Sequence, residues 1–250
     1  MARTVKHPEV RRAELVGAAR SLFFERGYDA TSVDEIIARA GVSKGAFYYY
    51  FPSKGAVLEA LAEQMAEEAA VNIRPILTDD TLNGFERLQQ FLRLNQRLKA
   101  EQAPETLALF EALFHPQNLA LHHHVFTRVS RVMNPIMATI LQQGMDDGSF
   151  LPGDPLAIAE VLLGISSTTH EAVAGLVGAD SEEAFKAAAA AFQRRWLTQG
   201  VIADRILGLP EGSTEFVEPG FAEAFFAGWR QARAQRSATR GNFAEDVDRF

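Results

Sequence analysis

The sequence predicts an all-α fold in which short N-terminal helices precede a bundle of longer ones. Apolar residues recur at intervals of three and four along most of the 250-residue chain, which is the period of an amphipathic helix. Serine, threonine or aspartate precedes many of these segments, and glycine or proline follows them, as at helix starts and ends. No series of segments shows the alternation typical of β-strands.

An apolar face and a pair of capping residues predict the first two helices. The first helix ends before Gly27, and its apolar face consists of Leu15, Ala18, Ala19, Leu22 and Phe23. A second helix is expected after Ser32, because Ser32 and Glu35 form a capping-box pair that satisfies free N–H groups of the first turn. Gly41 marks its end, because glycine adopts the left-handed conformation there at little cost.

Serine caps also predict the third and fourth helices. Ser43 precedes a helix expected over Lys44–Phe51, which a proline then ends. Ser53 caps a fourth helix, expected to end near Ile73 because Pro75 follows.

Longer helices follow in the remainder of the chain. They are expected near residues 81–100, 104–115, 117–147, 155–178 and 181–208. Asp154-Pro155 and Ser181 are start signals, and Gly208 is an end signal. Pro135 is expected to kink or split the helix over 117–147.

Composition excludes several classes of protein. The chain contains no cysteine, which excludes disulfides, thiolate zinc sites and cysteine nucleophiles. Its N-terminus lacks the apolar run of a signal peptide, and no stretch reaches the roughly 18 apolar residues of a membrane-spanning helix. We therefore expect a cytoplasmic protein that has no membrane partner.

Charge is distributed unevenly along the chain. Residues 1–54 contain nine lysines and arginines against six acidic residues, whereas residues 55–250 contain 16 against 26. Residues 1–54 therefore carry a net charge of +3 and residues 55–250 a net charge of −10, so the overall −7 arises from the C-terminal part, and the N-terminal part is compatible with a polyanionic partner.

Helices two and three, with the short turn between them, form a helix-turn-helix pattern. The second helix of such a motif can enter a DNA major groove about 12 Å wide. Phe47 and Phe51 share the face that is expected to pack on the core. The outward face is expected to consist of Gly45, Ala46, Tyr48 and Tyr49.

Polar residues around this pattern suit contacts to DNA. Hydroxyl groups of Thr31, Ser43 and Tyr48–Tyr50 can donate to phosphate oxygens, and Lys44 stands at the start of helix three. Lys54 lies in the first turn of helix four, where the helix dipole disfavours a cation, so a nearby phosphate would explain its position. These residues alone do not distinguish a DNA-binding motif from a helical hairpin without DNA function.

Residues 11–58 resemble the DNA-binding domain of the tetracycline-repressor (TetR) family of bacterial transcriptional regulators. The resemblance is carried by FFERGY at 23–28, ATSV at 30–33, AGVS at 40–43 and GAFYYYF at 45–51, followed by Lys54. It covers about a fifth of the chain strongly, and the rest is similar only in the order of its helices.

The resemblance assigns roles to individual residues. It implies groove contacts from Lys44, Gly45, Tyr48 and Tyr49. It implies phosphate contacts from Thr31, Ser43 and Lys54. Tyr50 is included among the DNA-binding residues, although the family often has histidine at that place.

The resemblance also implies a function and a domain organisation. The expected protein is a sequence-specific DNA-binding regulator, a repressor that a small-molecule effector releases from a palindromic double-stranded operator. Residues 1–54 would form the helix-turn-helix domain and residues 55–208 the ligand-binding and dimerisation domain. Residues 209–250 would form a linker and a short amphipathic extension with apolar residues at Phe221, Phe225 and Trp229.

By the same resemblance, helices 155–178 and 181–208 would pack against their copies in a homodimer. The apolar face expected to do so consists of Phe185, Ala188, Ala189, Phe192 and Trp196. An internal core is the alternative use of this face.

Polar residues within apolar helices are the candidates for an effector pocket, because buried polar groups must find a partner. The polar candidates are Gln96, Glu111, His115, Asn134, Ser167, His170 and Glu171, and Met133, next to Asn134, is included as an apolar residue that is expected to line the same bundle. Internal hydrogen bonds or dimer contacts are the alternative roles for these side chains.

No catalytic residue, cofactor or metal site is expected. His122–His124 are consecutive, so their side chains point about 100° apart on a helix and cannot converge on one ion. The serine-hydrolase pattern G-x-S-x-G occurs at Gly41–Gly45, but a helix precedes it where that motif needs a strand. A helical small-molecule carrier without DNA function is the alternative, and a small helical enzyme is a further one.

Overall fold

The computed structural model describes residues 7–101, 109, 112–165 and 170–214, and its regular elements are helical. The α-helices, in chain order, are α1 Pro8–Arg26, α2 Val33–Ala40, α3 Lys44–Tyr50, α4 Lys54–Leu77, α5 Gly84–Glu101, α6 Leu119–Asp146, α7 Pro155–Ile165, α8 His170–Gly178 and α9 Glu182–Leu207. A 3₁₀ turn, Pro116–Asn118, precedes α6. The all-α expectation is confirmed.

The predicted caps fix the helix starts. Ser32 Oγ accepts a hydrogen bond from Glu35 N at 3.2 Å, and the Glu35 carboxylate accepts one from Ser32 N at 2.8 Å, which completes the capping box. Ser43, Ser53 and Ser181 each accept a first-turn N–H at 3.1–3.2 Å. Each such cap stabilises its helix by about 1 kcal/mol. Because capping is local, the sequence placed these starts correctly.

Two prolines lie inside helices, as predicted for Pro135 but not for Pro75. α4 continues through Pro75 to Leu77, and α6 runs through Pro135 without a break. The predicted end of α4 near Ile73 is therefore wrong, and of the two outcomes expected at Pro135, a kink or a split, the split does not occur. In each case buried side chains on both sides of the proline hold the helix in place, such as Met133 and Met137 in α6. Such burial offsets the roughly 3 kcal/mol that an internal proline costs.

Two predicted helices are described only in part. Of the helix predicted over 104–115, residues 109 and 112–114 are described, and these are helical. The helix predicted over 155–178 corresponds to α7 and α8, and residues 166–169 lie outside the described ranges.

Two apolar cores share α4. The N-terminal core joins α1, α2, α3 and the first half of α4, and its fully buried large side chains include Leu15, Leu22, Phe23, Ile36, Phe47, Leu58 and Leu61. The C-terminal core joins the second half of α4, through Ile73 and Ile76, to α5, α6, α7 and α9. The helix α4 therefore contributes buried side chains to both cores.

Close backbone packing joins the start of α5 to the end of α6. A Cβ atom at Gly84 would overlap the backbone of Gly144, so a larger residue does not fit there. Asp147 Oδ2 accepts the Gly84 N–H at 2.6 Å and holds the two helices at this distance.

The face of α9 that was predicted to form a dimer interface packs inside the protomer. The cluster that it forms with α8 and Phe114 contains, buried or partly buried, Phe185, Ala188, Ala189, Phe192 and Trp196. The interface prediction is therefore wrong for these side chains, and the alternative of an internal core holds. The large apolar side chains that α7 and α9 leave exposed are Leu156, Val161, Leu197 and Ile202.

The first residues of the predicted linker are held against α9. The Asp204 carboxylate, which is fully buried, accepts the backbone N–H groups of residues 212–214 at 2.8–3.1 Å. The remainder of the 209–250 extension, including its predicted amphipathic helix, lies outside the described residues. Among the described helices, none is both long enough and apolar enough to span a membrane.

Candidate DNA interface and internal cavity

Ion pairs fix α2 against the end of α1. Arg39 donates two hydrogen bonds to the carboxylate of Glu25, at 2.9 and 3.0 Å, and Arg26 donates to Glu35 at 2.8 Å. The bidentate Arg39–Glu25 pair also lowers the pKa of Glu25. All four side chains are exposed or half-buried, so each pair contributes at most about 1 kcal/mol.

Phe47 sets the orientation of α3. Its side chain is fully buried, and Phe51 packs beside it with ring centroids 6.2 Å apart. Tyr48 and Tyr49 consequently face outward, with 48% and 78% of their surface exposed. The Tyr48 ring packs edge-on against Phe47 at 5.3 Å, which leaves its outer part available for contacts.

The rest of the predicted reading face lies around these tyrosines. Lys44 and Gly45 are exposed, as predicted, whereas Ala46 is half-buried. Lys44 Nζ lies 3.4 Å from Asp34 Oδ1, and both side chains are exposed. Such an exposed ion pair contributes little free energy, so Lys44 can readily exchange Asp34 for another partner. Ser43 is exposed, and its capping role uses an oxygen lone pair, which leaves the hydroxyl proton free to donate.

Tyr50 occupies the edge of this face. It is half-buried and packs against the N-terminal core, and its ring lies edge-on to Tyr49 at 4.9 Å. Its DNA contact stays a prediction.

The predicted phosphate contact from the Thr31 side chain is wrong. Thr31 is only 1% exposed, and its hydroxyl donates to the Gly27 carbonyl oxygen at 2.8 Å. This hydroxyl closes the turn between α1 and α2, so it is not available to DNA.

Lys54 also has an internal role. Its Nζ donates to the carbonyl oxygens of Tyr28 and Thr31, both at 2.9 Å, and lies 4.2 Å from the centroid of the Tyr28 ring. Partial burial lowers the pKa of the Lys54 ammonium, although Asp29 and Glu35 oppose this shift. The two carbonyls and the ring explain the cation at this helix start without a phosphate.

Lys54→Ala is expected to lower the free energy of unfolding by about 1–2 kcal/mol, because the two carbonyls lose their donor while water replaces it only in part. Urea denaturation followed by circular dichroism measures this change. Lys44→Ala, at an exposed position, is the matched control and should change stability by less than about 0.5 kcal/mol. Unchanged stability of the Lys54 variant, with equally weakened binding to all DNA sequences, would restore the phosphate assignment.

A cavity of about 430 Å³ lies between α4, α5, α6, α7 and α9. Most of its lining is apolar. Gln96 and Met133 were predicted for an effector pocket and do line it. His122, Ser130 and Gln199 also line it and were missed. A helical period of three to four residues along α6, from His122 to Met137, was the signal that could have identified this face.

The other predicted pocket residues lie elsewhere or outside the described part of the chain. His115, Asn134 and Glu171 do not line the cavity, so these predictions are wrong. His115 caps the turn before α6 through Nδ1, and Glu171 is exposed beside Arg195 at 3.6 Å. Glu111, Ser167 and the side chain of His170 lie outside the described residues.

Ion pairs connect the cavity helix α6 to α4. Arg128 donates to Glu59 at 2.9 Å and to Glu63 at 3.0 Å, and these carboxylates raise the pKa of the guanidinium. His124 Nδ1 lies 3.3 Å from Glu59 Oε1. In the part of the chain that the structure describes, no group of three or more candidate ligands could hold a metal ion.

Comparisons with known proteins agree on one family. The family described as "Bacterial regulatory proteins, tetR family" matches residues 15–61. The HTH-type transcriptional repressor KstR2 of Mycolicibacterium smegmatis is 32% identical over 162 residues, which cover 60% of this chain and 72% of KstR2. The transposon Tn10 TetC protein of Escherichia coli is 52% identical over 77 residues, which cover 30% of this chain and 37% of TetC.

A solved structure shows the same fold. The crystal structure of RolR in complex with resorcinol superposes with a TM-score of 0.55 at 27% identity, and the match covers 82% of this chain and 97% of RolR.

Proposed function

This chain belongs to the tetR family of bacterial regulatory proteins, and we propose that it is a cytoplasmic, homodimeric repressor. As a member of this family it is a DNA-binding transcriptional regulator rather than an enzyme. It binds a palindromic operator and leaves it when a small molecule occupies the internal cavity. The observation that carries the proposal is α3, where a fully buried Phe47 presents two exposed tyrosines to solvent.

The proposed DNA contacts follow from exposure. Lys44, Gly45, Tyr48 and Tyr49 lie in the major groove, where side chains read base edges. Ser43 and Tyr50 contact phosphates, which position the helix without reading sequence. The side chains of Thr31 and Lys54 serve the domain internally.

The proposed dimer uses the exposed apolar side chains of α7 and α9. Single exposed apolar residues are common, but four on two helices favour a partner surface. A two-fold interface places the same surface of each copy against the other and gives two reading helices for a palindromic site. We assign residues 1–54 to DNA binding and 55–208 to ligand binding and dimerisation, with α4 packed into both cores.

Release from DNA follows from the position of α4. This helix lines the cavity through Ala62, Met65, Ala66 and Ala69, and its first half packs against the N-terminal core. A ligand that binds better to a different placement of α4 shifts the population away from the DNA-binding arrangement. The complex of RolR with resorcinol supports a small-molecule ligand for this chain as well.

Selection of genomic DNA fragments on the purified protein tests the proposal, followed by fluorescence anisotropy on the selected fragment at several salt concentrations. A palindromic site bound at least about 1,000-fold more tightly than random DNA supports it. Salt-sensitive binding without sequence preference would contradict specific binding to an operator. No binding to DNA at all would favour the alternative of a helical small-molecule carrier without DNA function.

A further inference from the structure

We infer that the cavity takes an uncharged, mainly apolar ring compound with one or two neutral hydrogen-bonding groups. This inference rests on the proposed function, because it names the class of effector for the same cavity. Its volume of about 430 Å³ lies near the lower end of the range for pockets that hold drug-sized ligands.

The charge of the lining excludes an anionic ligand. Among the described residues, the lining contains no lysine, arginine, aspartate or glutamate. Arg128 on α6 is already bound to two carboxylates of α4. A carboxylate, sulfonate or phosphate in the cavity would therefore meet no lysine or arginine among the described lining residues, and burying an anion without such a partner is strongly unfavourable.

Rings on α6 and its neighbours favour a ring compound. The rings of Phe114 and His122 lie 5.1 Å apart, and His122 stacks at 6.4 Å on Phe126 with an interplanar angle of 16°. All three line the cavity together with Phe91 and Trp196. Such a wall offers the offset and edge-to-face contacts that aromatic ligands make in addition to apolar burial.

Two neutral polar groups can orient the ligand. Ser130 is half-buried on the cavity wall, and among the described residues its hydroxyl has no hydrogen-bond partner. Asn95 Nδ2 donates to the Phe91 carbonyl at 3.0 Å, which leaves the Asn95 Oδ1 atom as an acceptor. A hydroxyl, ketone or secondary amine on the ligand suits these groups, and none of them requires a charge.

Two probes that share one carbon skeleton test the inference without DNA. N-phenyl-1-naphthylamine is neutral, and 1-anilinonaphthalene-8-sulfonate carries a sulfonate on the same rings. Fluorescence titration of the full chain should show one site per protomer, with the neutral probe bound at least tenfold more tightly. Equal affinity, or tighter binding of the sulfonate, would overturn the inference.

A cation introduced into the cavity locates the site. Met133→Lys should weaken binding of the neutral probe at least fivefold. It should also reduce or reverse the ratio by which the neutral probe binds more tightly than the sulfonate. Met145→Lys is the matched control, because Met145 is a half-buried residue of α6 that does not line the cavity. Met65→Lys repeats the test from α4 at a half-buried position, should the buried Met133 variant fail to fold. Unchanged affinities in a folded cavity variant would place the probes elsewhere and overturn the inference.

Operator binding, measured on the same samples, separates this inference from the proposed function. If the protein binds the neutral probe more tightly but the probe does not change its affinity for DNA, the ligand class is supported and release through the cavity is contradicted. Release of DNA by the sulfonate at lower concentration than by the neutral probe supports release and overturns the ligand class.

Discussion

The double substitution Tyr48→Ala/Tyr49→Ala is expected to lower the affinity for the operator at least about 100-fold. Each good contact to a base edge is worth about 1–3 kcal/mol, and the proposed homodimer loses these contacts at both half-sites. Both side chains are exposed, so folding and oligomeric state should not change. Fluorescence anisotropy on the selected fragment measures the affinity, and circular dichroism and sedimentation check the fold.

Conservative replacements serve as the matched control. Tyr48→Phe/Tyr49→Phe keeps both rings and removes only the hydroxyls, so any loss common to the two double variants belongs to hydrogen bonds. Affinity for random DNA should fall much less than affinity for the operator, because phosphate contacts supply most non-specific binding. Unaltered recognition of the same site by the alanine variant would disprove the proposed reading face.

The double substitution Leu197→Glu/Ile202→Glu is expected to convert the protein to monomers at micromolar concentration. Both side chains are exposed apolar residues of α9, so the folded protomer tolerates the change. In the proposed interface, however, the carboxylates would be buried without partners, at a cost of several kcal/mol. Operator affinity should then fall at least about 1,000-fold, because a monomer engages one half-site only. Sedimentation velocity measures the first effect and anisotropy the second.

Leu119→Glu provides the comparison for this prediction. Leu119 is as exposed as Leu197 but lies at the start of α6 and belongs to neither α7 nor α9. It should leave the dimer and the operator affinity unchanged. A Leu197/Ile202 variant that sediments as a dimer would show that another surface joins the protomers.

Much of the candidate DNA interface could be predicted from the sequence, because the signals are local. Ser32, Ser43 and Ser53 each satisfy an N–H group three residues further on, so the starts of α2, α3 and α4 depend on neighbours in the sequence. In α3, the helical period alone puts Phe47 inside and Tyr48 and Tyr49 outside. These features do not depend on which distant segment packs against them.

The tertiary structure determined the features of the protein that depend on contacts between residues far apart in the sequence. Lys54 has a charge and a helix position in the sequence, but only the folding of α4 against the turn after α1 brings its Nζ to two carbonyl oxygens. The apolar faces of α9 have the same ambiguity, because burial inside a protomer and burial between protomers require the same residue types. Only the structure shows that Phe192 packs on α8 inside the protomer and that Leu197 is left exposed.

The cavity shows the same division. The sequence determined that the chain is helical, that Gln96 and Met133 lie on amphipathic helices, and that no cysteine chemistry is available. Only packing could show that five helices leave a space of about 430 Å³, and that His122 and Ser130 face it while His115 and Glu171 do not. Hydrophobic periodicity gives the buried side of each helix, but the rotation and spacing between helices depend on how all their side chains interlock.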